Sequence, residues 1–81
     1  MNVSVFEQVR QMAADIFRVP LEKVTPESTP QVIARWDSMQ HLNLILAIEE
    51  RFNLQLEPEE IDQMKSIGHI TTLLARRLEQ S

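Results

Sequence analysis

Three side chains that could do chemistry stand within five positions of one another: the Asp37 carboxylate, the Ser38 hydroxyl and the His41 imidazole, with Trp36 just ahead of them. A serine and a histidine three residues apart fall on roughly the same face of a helix, which is where a hydrolytic nucleophile and its base would have to be. Such a centre also needs a third group to orient the imidazole and donors for an oxyanion, and the sequence offers neither. A second chemistry asks less of the protein. A hydroxyl in the first turn of a helix lies among unpaired N–H groups at the positive end of the helix dipole, where an attached phosphodiester is favoured. The plain alternative is that Asp37 and Ser38 are ordinary capping residues, with Asp37 as the N-cap.

The elements that must position these groups can be read from apolar spacing and breakers. Ser4 and Glu7 have capping-box spacing, with Ser4 as N-cap, and Phe6, Val9, Ala13, Ile16 and Phe17 recur at helical intervals. This predicts a first helix over about 5–18, with Pro20 blocking continuation. Residues 19–37 contain Pro20, Pro26 and Pro30. They read as a long ordered loop, packed by Leu21, Val24, Val32, Ile33 and Trp36, with one short turn at 21–24. A second helix is expected over 38–52, stopped at Asn53. Leu44, Ile45, Ile48 and Phe52 form its core stripe. Met39, Leu42 and Leu46 form a second stripe, more than a thin bundle readily buries, so these three are candidates for a docking surface; the alternative is a fully buried central helix. Met39 could equally be core, and Trp36 is expected to plug the end of the core. Pro58 near a first helical position, with acids beside it, predicts a short helix over about 58–64. Ser66 caps a last helix over about 67–80 with Ile67, Ile70, Leu73, Leu74 and Leu78 inward and Arg76 and Arg77 near its end. Met12 and Met64 are assigned to the core, His41 to a surface contact and His69 to the first turn of the last helix. The fold class is all-α: a small four-helix bundle of three main helices and one short one, in a single domain over 1–81.

Composition narrows the function classes. There is no cysteine, so neither disulfides nor a thiolate metal site is available, and the two histidines lack ligand-like spacing. No metal site is expected. The net charge of −4 falls entirely in residues 37–81, which carry eight acidic and four basic side chains. Nucleic-acid binding is disfavoured by that balance, which suits a partner with a basic docking patch. No apolar run approaches the roughly 20 residues of a membrane span. The N-terminal residues lack the pattern of a signal peptide. A cytoplasmic protein is expected.

Asp37-Ser38-Met39, the helix end Ala47-Ile48-Glu49-Glu50-Arg51-Phe52, and Ser66-Ile67-Gly68-His69-Ile70 resemble the acyl carrier protein family along essentially the whole chain. The resemblance implies that Ser38 receives 4′-phosphopantetheine from coenzyme A, that its terminal thiol carries acyl groups as thioesters, and that a magnesium-dependent phosphopantetheinyl transferase makes the attachment. Asp37 matches the acidic neighbour implicated in transferase recognition. The chain would then be no enzyme. Its partners, acyl-loading and acyl-processing enzymes, would dock on Met39, Leu42, Leu46, Glu49 and Glu50. The absence of cysteine fits a protein whose only thiol comes from its prosthetic group.

Three departures matter. Gln40 and Asn43 occupy positions often acidic in carriers of fatty-acid synthesis, and Arg51 adds a positive charge. The glycine common before the Asp-Ser pair is replaced by Ala34-Arg35-Trp36, and the Gly-Gly-x-Ser pattern of peptidyl carriers is missing. A carrier of a specialised pathway, polyketide-like, hybrid or lipid-modifying, is therefore expected. A free-standing monomer fits the span from Met1 to just past the last helix. The rival reading is a helical interaction module with the same fold and no prosthetic group.

Overall fold

The computed structural model describes residues 3–80, with side chains from Ser4 to Glu79. Helix α1 runs Val3–Phe17, α2 Ser38–Phe52, α3 Pro58–Asp62 and α4 Ile67–Gln80, with a 3-10 turn at Leu21–Lys23, and there is no strand among the described residues. The expected bundle of three main helices and one short one is what forms. α1 packs against both α2 and α4. One apolar cluster joins Val9, Ala13 and Phe17 of α1, Leu44 and Ile48 of α2, and Ile67, Ile70 and Leu74 of α4, all essentially without solvent exposure. Met12 and Met64 are core, as expected.

The start of α1 differs from expectation, and its stop agrees. Ser4 lies inside the helix rather than capping it. The first turn has unpaired amides wherever it begins, so serine is tolerated there and its cap signature misplaces the start by two residues. The stop comes before Pro20. Arg18 adopts a left-handed conformation (φ 56°), and the Val19 N–H reaches back to the Ala14 carbonyl at 3.1 Å, a Schellman closure. α2 ends the same way, with Asn53 at φ 53° and Leu54 N–H on the Glu49 carbonyl at 3.2 Å. There Asn53 is the stop its residue type suggests.

The long loop is held at both ends. Arg10 Nε donates to the carbonyls of Leu21 and Val24, each at 3.1 Å, fixing the 3-10 turn to α1. Further on, the Ser28 hydroxyl accepts the Thr25 N–H and donates to the Lys23 carbonyl. Val24, Ile33 and Trp36 are buried, but Leu21 and Val32 are exposed, which corrects two of the five expected packing residues. The turn that sends the Val32 and Ile33 amides to the Thr29 carbonyl turns Ile33 inward and leaves its neighbour outside.

α3 is shorter than the expected 58–64. Its last turns tighten, with Gln63 N–H on the Glu60 carbonyl and Met64 N–H on the Ile61 carbonyl. That bend carries Met64 into the core, where it is 2% exposed. Arg77 of α4 holds this corner, bonded to the Glu60 carboxylate and, at 3.0 Å, to the Gln55 carbonyl.

Candidate functional site at the start of helix α2

Two helix starts face the loop, and they are treated differently. At α4 each early amide has an acceptor. Ile67 N–H donates to the Ser28 carbonyl at 3.0 Å, Gly68 N–H to the Pro26 carbonyl at 2.8 Å, and His69 N–H to the Ser66 hydroxyl at 3.1 Å. At α2 the Asp37 carboxylate accepts the Gln40 N–H at 2.9 Å, and the first intrahelical bond is His41 N–H to the Asp37 carbonyl at 2.8 Å. The amides of Ser38 and Met39 have no acceptor among the described residues. Ser38 itself is exposed. The α2 terminus is therefore an open one, with free donors and the positive end of the dipole beside a free hydroxyl.

Trp36 and His41 flank that terminus. Trp36 is 3% exposed and stacks on Phe17 with ring centroids 5.1 Å apart, so it does plug the core end. Its indole N–H donates to His41 Nδ1 at 2.9 Å, and the two rings lie 5.9 Å apart. His41 is thus not a simple surface contact. It is half-buried, and burial lowers its pKa below the ordinary histidine value. The cause of the difference is Trp36: an indole N–H at the core boundary needs an acceptor, and the imidazole five residues on supplies it. The signal was present in the sequence as Trp36 and His41 bracketing the cap, a pair that periodicity alone does not join.

A groove of about 790 Å³ opens beside Ser38. Trp36, Asp37, Ser38 and His41 line one side, and Asp62, Lys65 and His69 are among the residues opposite. These three come from the end of α3, the connection after it and α4, far from Ser38 in sequence, and no local pattern joins them to it.

The outer face of α2 is apolar as expected. Met39, Leu42 and Leu46 are 74%, 55% and 54% exposed, while Leu44, Ile45 and Ile48 are buried. Glu50 is exposed on the same helix. Glu49 is half-buried, and its carboxylate accepts the Leu56 N–H at 2.9 Å, tying the α2–α3 connection to the helix. Gln40 and Asn43 bond each other at 2.9 Å.

This arrangement does not activate Ser38 as a nucleophile. A neutral imidazole has a single acceptor nitrogen, and that of His41 is occupied by Trp36. The Asp37 carboxylate is turned to the Gln40 amide. Among the described residues no group of acidic or histidine side chains could hold a metal ion, and no helix is long and apolar enough to cross a membrane. What remains is a hydroxyl presented on an open helix start.

Comparison with known proteins places the chain in a family. A family model described as "Phosphopantetheine attachment site" matches residues 7–74. An acyl carrier protein of Thermosynechococcus vestitus is 30% identical over 79 residues, covering 96% of this chain and 98% of its own. One from Clostridium acetobutylicum is 28% identical over 76 residues, covering 94% and 99%. The solution structure of the holo acyl carrier protein from Geobacter metallireducens superposes with a TM-score of 0.79 at 26% identity, covering 95% of this chain and 93% of that one. With its family pattern matched over most of its length and its helices in the same arrangement, the chain belongs to the acyl carrier proteins, non-catalytic carriers of covalently attached 4′-phosphopantetheine.

Proposed function

We propose that Ser38 is the attachment point and that the 81 residues act as one monomeric, cytoplasmic carrier unit of a specialised pathway, polyketide-like, hybrid or lipid-modifying. The observation that carries the attachment site is the contrast between the two helix starts: α4 is closed by loop carbonyls, and α2 is left open around an exposed serine. The residues there fit a phosphodiester. Two free amides and the helix dipole favour the anion, and Asp37 stands outside the first turn as a recognition mark for the transferase. When bound, the group supplies a thiol on a flexible arm.

Partner enzymes that load and process the acyl group dock on Met39, Leu42 and Leu46, with Glu50 and the half-buried Glu49 adding negative charge for a basic partner surface. The pathway assignment is supported by Gln40 and Asn43, which pair with each other where a more acidic helix would present charge.

The test is intact-mass measurement after incubation with coenzyme A, magnesium and a broad-specificity phosphopantetheinyl transferase. One phosphopantetheine is expected on the wild type and none on Ser38→Ala. No gain on the wild type, with the transferase active on a control carrier, would leave only the interaction-module reading of this surface.

A further inference from the structure

His41 lies one helical turn beyond Ser38 and lines the same groove. Its Nδ1 accepts the Trp36 indole N–H at 2.9 Å, and the rings are stacked, their planes 25° apart. Indole nitrogen can only donate, so the imidazole must accept at Nδ1 and, when neutral, carry its proton on Nε2. The ring therefore has one tautomer and one orientation. Its remaining polar atom is an N–H, which no acceptor among the described residues takes. Cβ atoms three residues apart on a helix are about 5–6 Å apart, a gap that an imidazole on one side and a phosphate ester on the other can bridge.

We propose that His41 is a positioning residue whose Nε2–H donates to the phosphodiester linking Ser38 to the prosthetic arm, fixing the first link of the arm at the mouth of the groove. This rests on Ser38 being the attachment point. Trp36 acts through His41: it holds the donor in place and contributes no contact of its own. The charged and titratable groups facing the groove are Asp37 at the α2 cap, Asp62 at the end of α3, Lys65 in the connection, and His69 in α4. All four are present before and after attachment, so a change in His41 between the two forms reports the new anion.

The experiment is an NMR pH titration of both histidines in apo protein and in holo protein made with the transferase and verified by intact mass, with His69→Gln used to assign the signals. Attachment is expected to raise the His41 midpoint by about one pH unit, because a bonded anion favours the imidazolium, and to leave His69 nearly unmoved. In holo protein the phosphorus resonance should follow the His41 titration and lose that inflection in His41→Phe. A mass gain with the His41 midpoint unmoved, or with His69 moving instead, overturns the proposal alone, as does a phosphorus inflection that survives in His41→Phe. Absence of the mass gain overturns the Ser38 assignment and this proposal with it.

Discussion

The hydrogen bond from Trp36 Nε1 to His41 Nδ1, 2.9 Å long, closes a five-residue span over the start of α2, with Asp37 and Ser38 inside it. It ties a core residue to a residue that lines the same groove as Ser38. Trp36→Phe keeps the ring against Phe17 and removes only the donor. It should cost about 1 kcal/mol, whereas Trp36→Ala, which empties the core end, should cost about 3–5 kcal/mol. Urea unfolding of the two variants checks this: no loss in Trp36→Phe would mean the hydrogen bond contributes little, and equal losses would mean the packing adds little beyond it.

Acid should weaken the fold in two stages. The folded pKa of His41 is depressed by burial, so the stability it contributes is present above the ordinary histidine value and is lost as pH falls through the lower folded value. Glu60 is also depressed, by the Glu57 backbone N–H first and then by Arg77. Its contribution is present above the ordinary glutamate value and lost as pH falls below it. Urea midpoints measured from pH 7 down to pH 3.5 should decline first in the range that His41→Gln flattens and then in the range that Glu60→Gln flattens. A wild-type midpoint constant over that span would contradict both assignments.

The fold was legible from the sequence because the signals of its elements agree. Asp37 caps α2 and Asn53 ends it where residue type alone suggests, and Pro58 and Ser66 open the next two helices. The exposed stripe Met39, Leu42 and Leu46 followed from counting apolar residues against the room in a thin bundle. What stayed hidden depends on contacts distant in sequence. The Trp36–His41 bond crosses a cap. Lys65 and His69 join the groove from the connection after α3 and from α4. The loop carbonyls of Pro26 and Ser28 close α4 from about forty residues away, which no local propensity encodes. Ser4 shows the opposite error, a local signature without a structural consequence.

Gly68 lies where the loop crosses the start of α4. A Cβ built there would stand 2.9 Å from the Pro26 carbonyl oxygen, the same oxygen that accepts the Gly68 N–H at 2.8 Å. Helix propensity favours alanine by about 1 kcal/mol, yet Gly68→Ala should destabilise by about 1–3 kcal/mol, because backbone must move to admit the methyl. Faster amide exchange at Ile67 and Gly68 would accompany it. A stabilised variant would mean that the loop yields freely.

Asp37 combines a structural role with a proposed recognition role, and two substitutions separate them. Asp37→Asn keeps an acceptor for the Gln40 amide and should leave stability within about 0.5 kcal/mol, since asparagine caps as well as aspartate. Asp37→Ala should lose about 1 kcal/mol. If charge is what the transferase reads, both variants should be modified more slowly, with the change mainly in KM. Normal modification of Asp37→Asn would assign the residue to capping alone.

The adjacent acids Glu49 and Glu50 should differ in what they do when reversed. The Glu50 carboxylate is exposed, so Glu50→Lys should leave stability within about 0.5 kcal/mol while slowing turnover of the carrier by a partner enzyme. That loss should shrink as salt rises, because screening acts over about 10 Å at 0.1 M. Glu49→Lys removes the acceptor of the Leu56 N–H, leaving an amide at a nearly buried residue without its partner and a lysine in a half-buried position. It should cost about 1–3 kcal/mol and loosen the α2–α3 connection, visible as faster exchange of the Leu56 amide. Steady-state kinetics at two salt concentrations together with urea unfolding distinguish the two residues. If Glu50→Lys is silent at low salt, the Glu50 charge plays no part in docking.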